Sequence, residues 1–206
     1  MNFLGEVKLS MLNLGTDFYL IRHGEAELNL VDIVGGRSNS SPLTQKGIEQ
    51  AKNLTARLRK IGFSDALIVT SPAVRCVNTL MYSLGKNNIG FSIDCALQEL
   101  EQGEWVGKPR REVYTSKVRA EIEDDPWNFK APGGESQAEV AERVKLTISQ
   151  NYLRSPKIIF FTHGGTIKYL CADLFGWNNA WKINVDNASI THLKYDGKWD
   201  LIEFNG

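Results

Sequence analysis

The chain has 206 residues, with 24 lysines and arginines against 24 aspartates and glutamates, so its formal net charge is zero. Hydrophobic residues make up 42% and charged residues 23%, proportions that exclude disordered, collagen-like and coiled-coil classes. The length fits a single domain over 1–206, and a neutral chain offers no basis for a nucleic-acid partner.

No apolar run approaches the roughly 20 residues needed to span a bilayer, so no membrane is expected. Residues 1–17, with Glu6, Lys8, Asn13 and Gly15, are too polar for a signal peptide and read as an N-terminal extension. Cys76, Cys95 and Cys171 are odd in number and widely spaced, which fits reduced thiols and a cytoplasmic location. His23, His163 and His192 have no cysteine or carboxylate at metal-ligand spacing, so no metal site is expected. Nothing in the sequence sets an oligomeric state.

In chain order, Phe18 to Ile21 is a short β-prone run, and Gln45 to Lys60 follows with Ile48, Ala51, Leu54 and Leu58 at helical spacing. Ala66 to Val69 predicts a second strand. Pro72 to Leu84 predicts a helix with Ser71 as N-cap and Pro72 at its first position. The stretch 102–135 is long and irregular for a connection and reads as a lid or substrate loop. Within it, the carboxylates from Glu121 to Asp125 lack calcium-loop order and read as a solvated helix end. Glu135 to Tyr152 predicts a helix opened by the turn Pro132-Gly133-Gly134. Lys157 to Phe161 predicts a strand covered on both faces, and Gly165 to Phe175 another helix. Ser189 to Tyr195 and Lys198 to Phe204 predict a hairpin across Asp196-Gly197. This alternation predicts an α/β fold, a three-layer sandwich with a mostly parallel central sheet flanked by helices.

Ligands of open α/β sheets bind beyond the carboxyl ends of the strands. The first predicted strand ends in Arg22-His23-Gly24-Glu25, the second in Thr70-Ser71-Pro72 with Arg75 one turn on, and the long apolar one in Thr162-His163-Gly164-Gly165. Two histidines and two arginines thus converge on one edge. Guanidinium forks suit phosphate oxygens, and an imidazole beside them is held neutral and nucleophilic. Two helix amino ends would add N–H donors, so the edge favours a dianion.

These motifs resemble the histidine phosphatase superfamily, in its phosphoglycerate mutase-like branch. Further pieces stand in the family's order: Asn29, Ser41-Pro42-Leu43-Thr44 with Gly47, Glu99 with Gly103-Glu104-Trp105, and Pro132-Gly133-Gly134-Glu135-Ser136. The resemblance spans about Phe18 to Ser189. It implies a phosphoglycerate mutase-like fold, His23 as phosphate acceptor, Arg22, Arg75 and His163 gripping the phosphoryl oxygens, and Glu99 as general acid and base. It also implies that Asn29 helps bind phosphate and that no cofactor is needed. Ser40 and Val106 depart from the family's usual Asp and Glu, which bears on substrate rather than reaction.

The implied activity is metal-independent hydrolysis of a phosphomonoester of a small metabolite through a phosphohistidine. Gly164, Trp105, Arg110 and Arg111 are the remaining candidates for contact with substrate, with Trp127 beside Trp105 as pocket wall. Two alternatives are mutase-type phosphoryl transfer and a non-catalytic phosphate-binding relative. The tandem Arg110-Arg111 follows Glu99 by only 11 and 12 positions (110 − 99 and 111 − 99), unlike the family's mutases, and all five core residues are present. His192 reads as a strand-surface histidine, and Trp177 and Trp181, at helical spacing, as packing.

Overall fold

The computed structural model describes residues 15–85 and 90–206; the expected extension over 1–17 lies, up to residue 14, outside the described residues. Six strands, β1 (Thr16–Arg22), β2 (Leu67–Thr70), β3 (Ser92–Ile93), β4 (Lys157–Thr162), β5 (Ile190–Tyr195) and β6 (Trp199–Glu203), form one sheet. Its order is β3-β2-β4-β1-β5-β6. The pairs β1/β4, β2/β4 and β2/β3 are parallel, whereas β5 and β6 add an antiparallel edge. The described helices are α1 (Gln45–Ile61), α2 (Val74–Leu84), α3 (Arg110–Val113), α4 (Ser116–Asp124), α5 (Gln137–Asn151) and α6 (Gly164–Phe175).

The unbroken apolar run of β4 follows from burial on both faces. Ile158 and Phe160 pack with Val144 and Ile148 of α5 and Ile167 and Leu170 of α6. Ile159 and Phe161 point the other way, onto Leu54 and Leu58 of α1 and Leu80 of α2. All four β4 side chains are fully buried, each contributing about 1.5–3 kcal/mol of apolar burial. The three-layer sandwich with a mostly parallel sheet is therefore present.

Helix ends follow local chemistry. Thr44 caps α1 by accepting from the Gly47 amide at 3.0 Å, and Gly62, at φ 77°, ends it. Ser136 and Glu139 form a reciprocal capping box that starts α5 at Gln137, two residues after the expected start. Helix α2 starts at Val74 with Ala73 as N-cap, where Ser71 and Pro72 were expected to open it. The Ser71 hydroxyl is drawn instead to His163 Nε2 at 2.9 Å. The stretch 102–135 is less irregular than expected, since it contains α3 and α4; Glu121–Asp124 do end a helix, α4.

Candidate active site

The carboxyl ends of β1, β2 and β4 deliver Arg22-His23, Ser71 and Thr162-His163 to one edge of the sheet. The chain beyond β3 reaches the same edge because the Thr162 hydroxyl donates to the Leu97 carbonyl at 2.7 Å and the Thr166 hydroxyl to the Gln98 carbonyl at 2.8 Å. These two bonds bring Glu99 to the amino end of α6.

His23 and His163 are buried, at 3% and 1% exposure, with ring centroids 5.3 Å apart. His23 Nδ1 lies 2.7 Å from the Gly24 carbonyl. A carbonyl only accepts, so Nδ1 carries the hydrogen and Nε2 bears the lone pair. Arg75 donates from Nε to that Nε2 at 3.2 Å and from Nη2 to His163 Nδ1 at 3.1 Å. His163 Nδ1 is therefore an acceptor and its Nε2 donates to Ser71. Burial first, then Arg75, holds both imidazoles well below the usual histidine range, with Arg22 adding for His23. Both are neutral at neutral pH.

The loop after His23 is fixed by Thr79, whose hydroxyl accepts from the Gly24 amide at 3.0 Å and donates to the Arg75 carbonyl at 2.7 Å. Asn187 Nδ2 donates to the His23 carbonyl at 3.1 Å. Arg22 donates from Nη1 to the Val185 carbonyl, while its buried Nε has no partner among the described residues. Burial lowers its pKa, although Glu99 and Asp186 oppose the shift. A buried guanidinium donor without a partner calls for an anionic acceptor.

The Glu99 carboxylate is aimed by two amides, Leu100 N–H to Oε1 at 2.8 Å and Gly165 N–H to Oε2 at 3.1 Å. Gly165 lies in the first turn of α6, where amides have no intrahelical partner. A Cβ there would collide with Glu99 Oε1, so glycine leaves the carboxylate the room to sit where it does.

Arg22, His23, Arg75 and Glu99 open into a cleft of about 600 Å³. Of the expected substrate residues, Asn29, Trp105, Arg110 and Arg111 line it. Asn29 Oδ1 accepts from the Ala26 amide at 2.9 Å. The Trp105 ring meets Tyr114 at 5.5 Å and Phe129 at 5.8 Å, making an aromatic wall. Gly164 does not line the cleft: it faces the Arg22 side chain, and its neighbour Gly165 takes the place expected of it.

Trp127 also stays outside, packed against the buried cluster of Val140, Tyr169, Ala172 and Ala180. Trp177 and Trp181 do not share a helix, because Gly176, at φ 68°, ends α6; Trp181 stands on a 3₁₀ turn and lines the cleft. Lys168 lines it as well, its Nζ donating to the Trp181 and Ile183 carbonyls at 3.1 Å each. Sequence reading passed over Thr79, Asn187 and Lys168, which carry no local signal, and named Gly165 only within the Thr162-His163-Gly164-Gly165 motif. His192 stays on the strand, paired with Asp17 at 2.7 Å and stacked on Tyr19.

A ring nitrogen with its lone pair directed at Arg75, converging guanidiniums and a carboxylate are chemically suited to phosphoryl transfer by charge stabilisation. A family profile described as the histidine phosphatase superfamily (branch 1) matches residues 18–205, and the chain belongs to this superfamily. An adenosylcobalamin/alpha-ribazole phosphatase of Escherichia coli (strain K12) is 27% identical, covering 91% of this chain and 89% of that protein. A Salmonella paratyphi B protein named "Probable phosphoglycerate mutase GpmB" is also 27% identical, over 88% of this chain and 86% of its own length. The crystal structure of the alpha-ribazole phosphatase from Shigella flexneri superposes with a TM-score of 0.77 at 26% identity, covering 93% of this chain and 96% of that one.

Proposed function

We propose that the chain is a phosphatase that hydrolyses a small-metabolite phosphomonoester in two steps through His23, without metal or cofactor. The observation that supports this most directly is the His23 Nε2 lone pair, oriented by the Gly24 carbonyl and met by Arg75 at the mouth of a cleft that also holds Glu99. In the first step Nε2 attacks phosphorus in line, the P–O bond breaks, and protonated Glu99 gives its proton to the leaving oxygen. In the second, water attacks the phosphohistidine and passes a proton to Glu99; the P–N bond breaks, returning neutral His23 and releasing hydrogen phosphate. Arg22 and Arg75 stabilise the equatorial oxygens in both steps, and His163 joins them once substrate displaces Arg75 from its Nδ1 and the ring changes tautomer, Nδ1–H donating to an oxygen while Nε2 accepts from the Ser71 hydroxyl.

The proposal places this activity in one domain, with 102–135 as the wall that selects the leaving group. Arg110, Arg111 and Trp105 face the cleft from that stretch. Among the described residues no helix is long and apolar enough to cross a membrane. Cys76, Cys95 and Cys171 are free thiols, consistent with a reducing, cytoplasmic setting.

The test is chemical. Enzyme quenched during turnover of a ³²P-labelled ester should carry label that is acid-labile and alkali-stable, because a phosphoramidate hydrolyses in acid. Label retained by His23→Ala would overturn the assignment. Running a panel of phosphorylated metabolites with a second alcohol present also reads phosphoryl return to substrate, the mutase alternative raised by the mutase-named relative.

A further inference from the structure

The Glu135 carboxylate, whose side chain is 13% exposed, sits between two guanidiniums from distant parts of the chain. Arg143 of α5 donates from Nε to Oε1 at 2.9 Å and from Nη2 to Oε2 at 3.1 Å. Arg37, from the loop between β1 and α1, donates from Nη2 to Oε1 at 2.7 Å. The same two arginines also converge on the backbone carbonyl of Glu99, Arg37 through Nε and Arg143 through Nη2, each at 3.2 Å. The peptide that carries the Glu99 side chain is thus gripped by cations that Glu135 holds.

Glu135 ties the next residues as well. Its Oε2 accepts from the Glu101 amide at 3.2 Å, and its own amide donates to the Glu101 carbonyl at 2.9 Å. Neighbouring Glu139 is engaged elsewhere, on Lys130 and the Ser136 amide, and offers no replacement anion. Without the Glu135 charge, two guanidiniums would meet at one carbonyl with no anion between them to offset their repulsion, and only Arg143, through Nη1 on the Ala96 carbonyl at 2.5 Å, would keep a further anchor. Arg37, whose other bond is to the Glu99 carbonyl itself, would then swing away, and the Glu99 peptide would lose one side of its grip.

We infer that Glu135 is a positioning residue that sets Glu99 for proton transfer by locking Arg37 and Arg143 onto its backbone. The inference rests on Glu99 acting as the acid and base proposed above. A displacement near 1 Å at a reacting group costs up to about 10²-fold in rate, so the clamp matters wherever the leaving oxygen needs a proton.

The experiment is a double-mutant cycle on the full chain with Glu135→Gln, Glu99→Gln and both together, assayed on β-glycerophosphate and p-nitrophenyl phosphate. Glu135→Gln should lower kcat for the alkyl ester about 10- to 100-fold, with KM changed less than about threefold. It should slow the p-nitrophenolate burst far less. The double variant should be no slower than Glu99→Gln alone, since both changes remove one function. A nitrophenolate burst slowed as much as alkyl ester turnover, or a double loss equal to the product of the single ones, would show that Glu135 only supports the fold. Should Glu135→Gln not fold, Arg143→Lys, which keeps the charge and loses the fork, carries the same expectations. Wild-type rates in Glu99→Gln would remove the acid–base assignment and this inference together. A selective Glu99→Gln beside an unselective Glu135→Gln would remove the inference alone.

Discussion

Arg75 Nε donates to His23 Nε2 at 3.2 Å, so the lone pair proposed to attack phosphorus is occupied by the cation proposed to bind the phosphoryl oxygens. The guanidinium also reaches His163 Nδ1 and the Ser38 carbonyl, which already spreads its donors over the positions an oxyanion would take. In the proposed mechanism substrate binding would exchange ring nitrogens for phosphoryl oxygens around a preorganised fork and uncover the nucleophile. Arg75→Ala should lower kcat/KM by about 10³-fold, and Arg75→Lys by clearly less, because lysine keeps the charge without the bidentate geometry. Equal losses in steady-state assays would show that the fork is not used.

The two buried imidazoles also link stability to pH. Their folded pKa values lie well below the ordinary 6.5, with burial as the main cause and Arg75 next. Below pH 6.5 the unfolded chain binds protons that the folded chain refuses, so stability is complete above that pH and falls as pH drops towards the folded values. Each histidine contributes a slope of at most about 1.4 kcal/mol per pH unit. Urea unfolding should therefore show a midpoint that declines from pH 6.5 to 5, and His23→Asn should lessen the decline. A flat midpoint through that window would mean that the folded rings take up protons as readily as the unfolded ones.

The strand ends were legible because chemistry sat where the apolar runs stopped: Arg22-His23, Ser71 and His163 all reach the expected edge. Strand β3 was not, since two exposed residues, Ser92 and Ile93, carry no periodicity and are ordered by pairing with Val69 and Thr70. The start of α2 was misread because Ser71 and Pro72 form a sound local cap signal, which a bond to His163, 92 residues away, overrides. Arg37 and Arg143 were invisible for the same reason. Arg37 lies 62 and 98 positions from Glu99 and Glu135, and Arg143, though only 8 from Glu135, lies 44 from Glu99, so no local pattern records their meeting at one carbonyl.

Gly165 provides a prediction independent of any charge. Its amide donates to Glu99 Oε2 at 3.1 Å, and a Cβ at this position would overlap the other carboxylate oxygen. The backbone there is helical, so alanine adds no conformational strain and should favour α6 if anything. Gly165→Ala should therefore fold with an unchanged or raised melting temperature yet lose about 10²-fold in kcat on an alkyl phosphate, through a displaced Glu99. An active, stable variant would show that the carboxylate can shift without consequence.

The remaining prediction concerns how the need for Glu99 varies with substrate. General-acid assistance is worth about 10²- to 10⁴-fold and grows with the basicity of the departing oxygen. An alkyl phosphate must expel a strongly basic alkoxide, so Glu99→Gln should cripple its hydrolysis at the first step. The nitrophenolate of p-nitrophenyl phosphate leaves without help, so His23 phosphorylation should survive in the same variant. Water activation in the second step still requires the carboxylate, and phosphohistidine should then accumulate. Stopped-flow absorbance should show a burst of nitrophenolate equal to the enzyme concentration, followed by a slow steady rate. Equal slowing of both esters with no burst would tell against Glu99 in this role, and Glu25, held by Lys46 and Thr44 at 2.8 and 2.9 Å, and exposed Glu104 would be the carboxylates to test next.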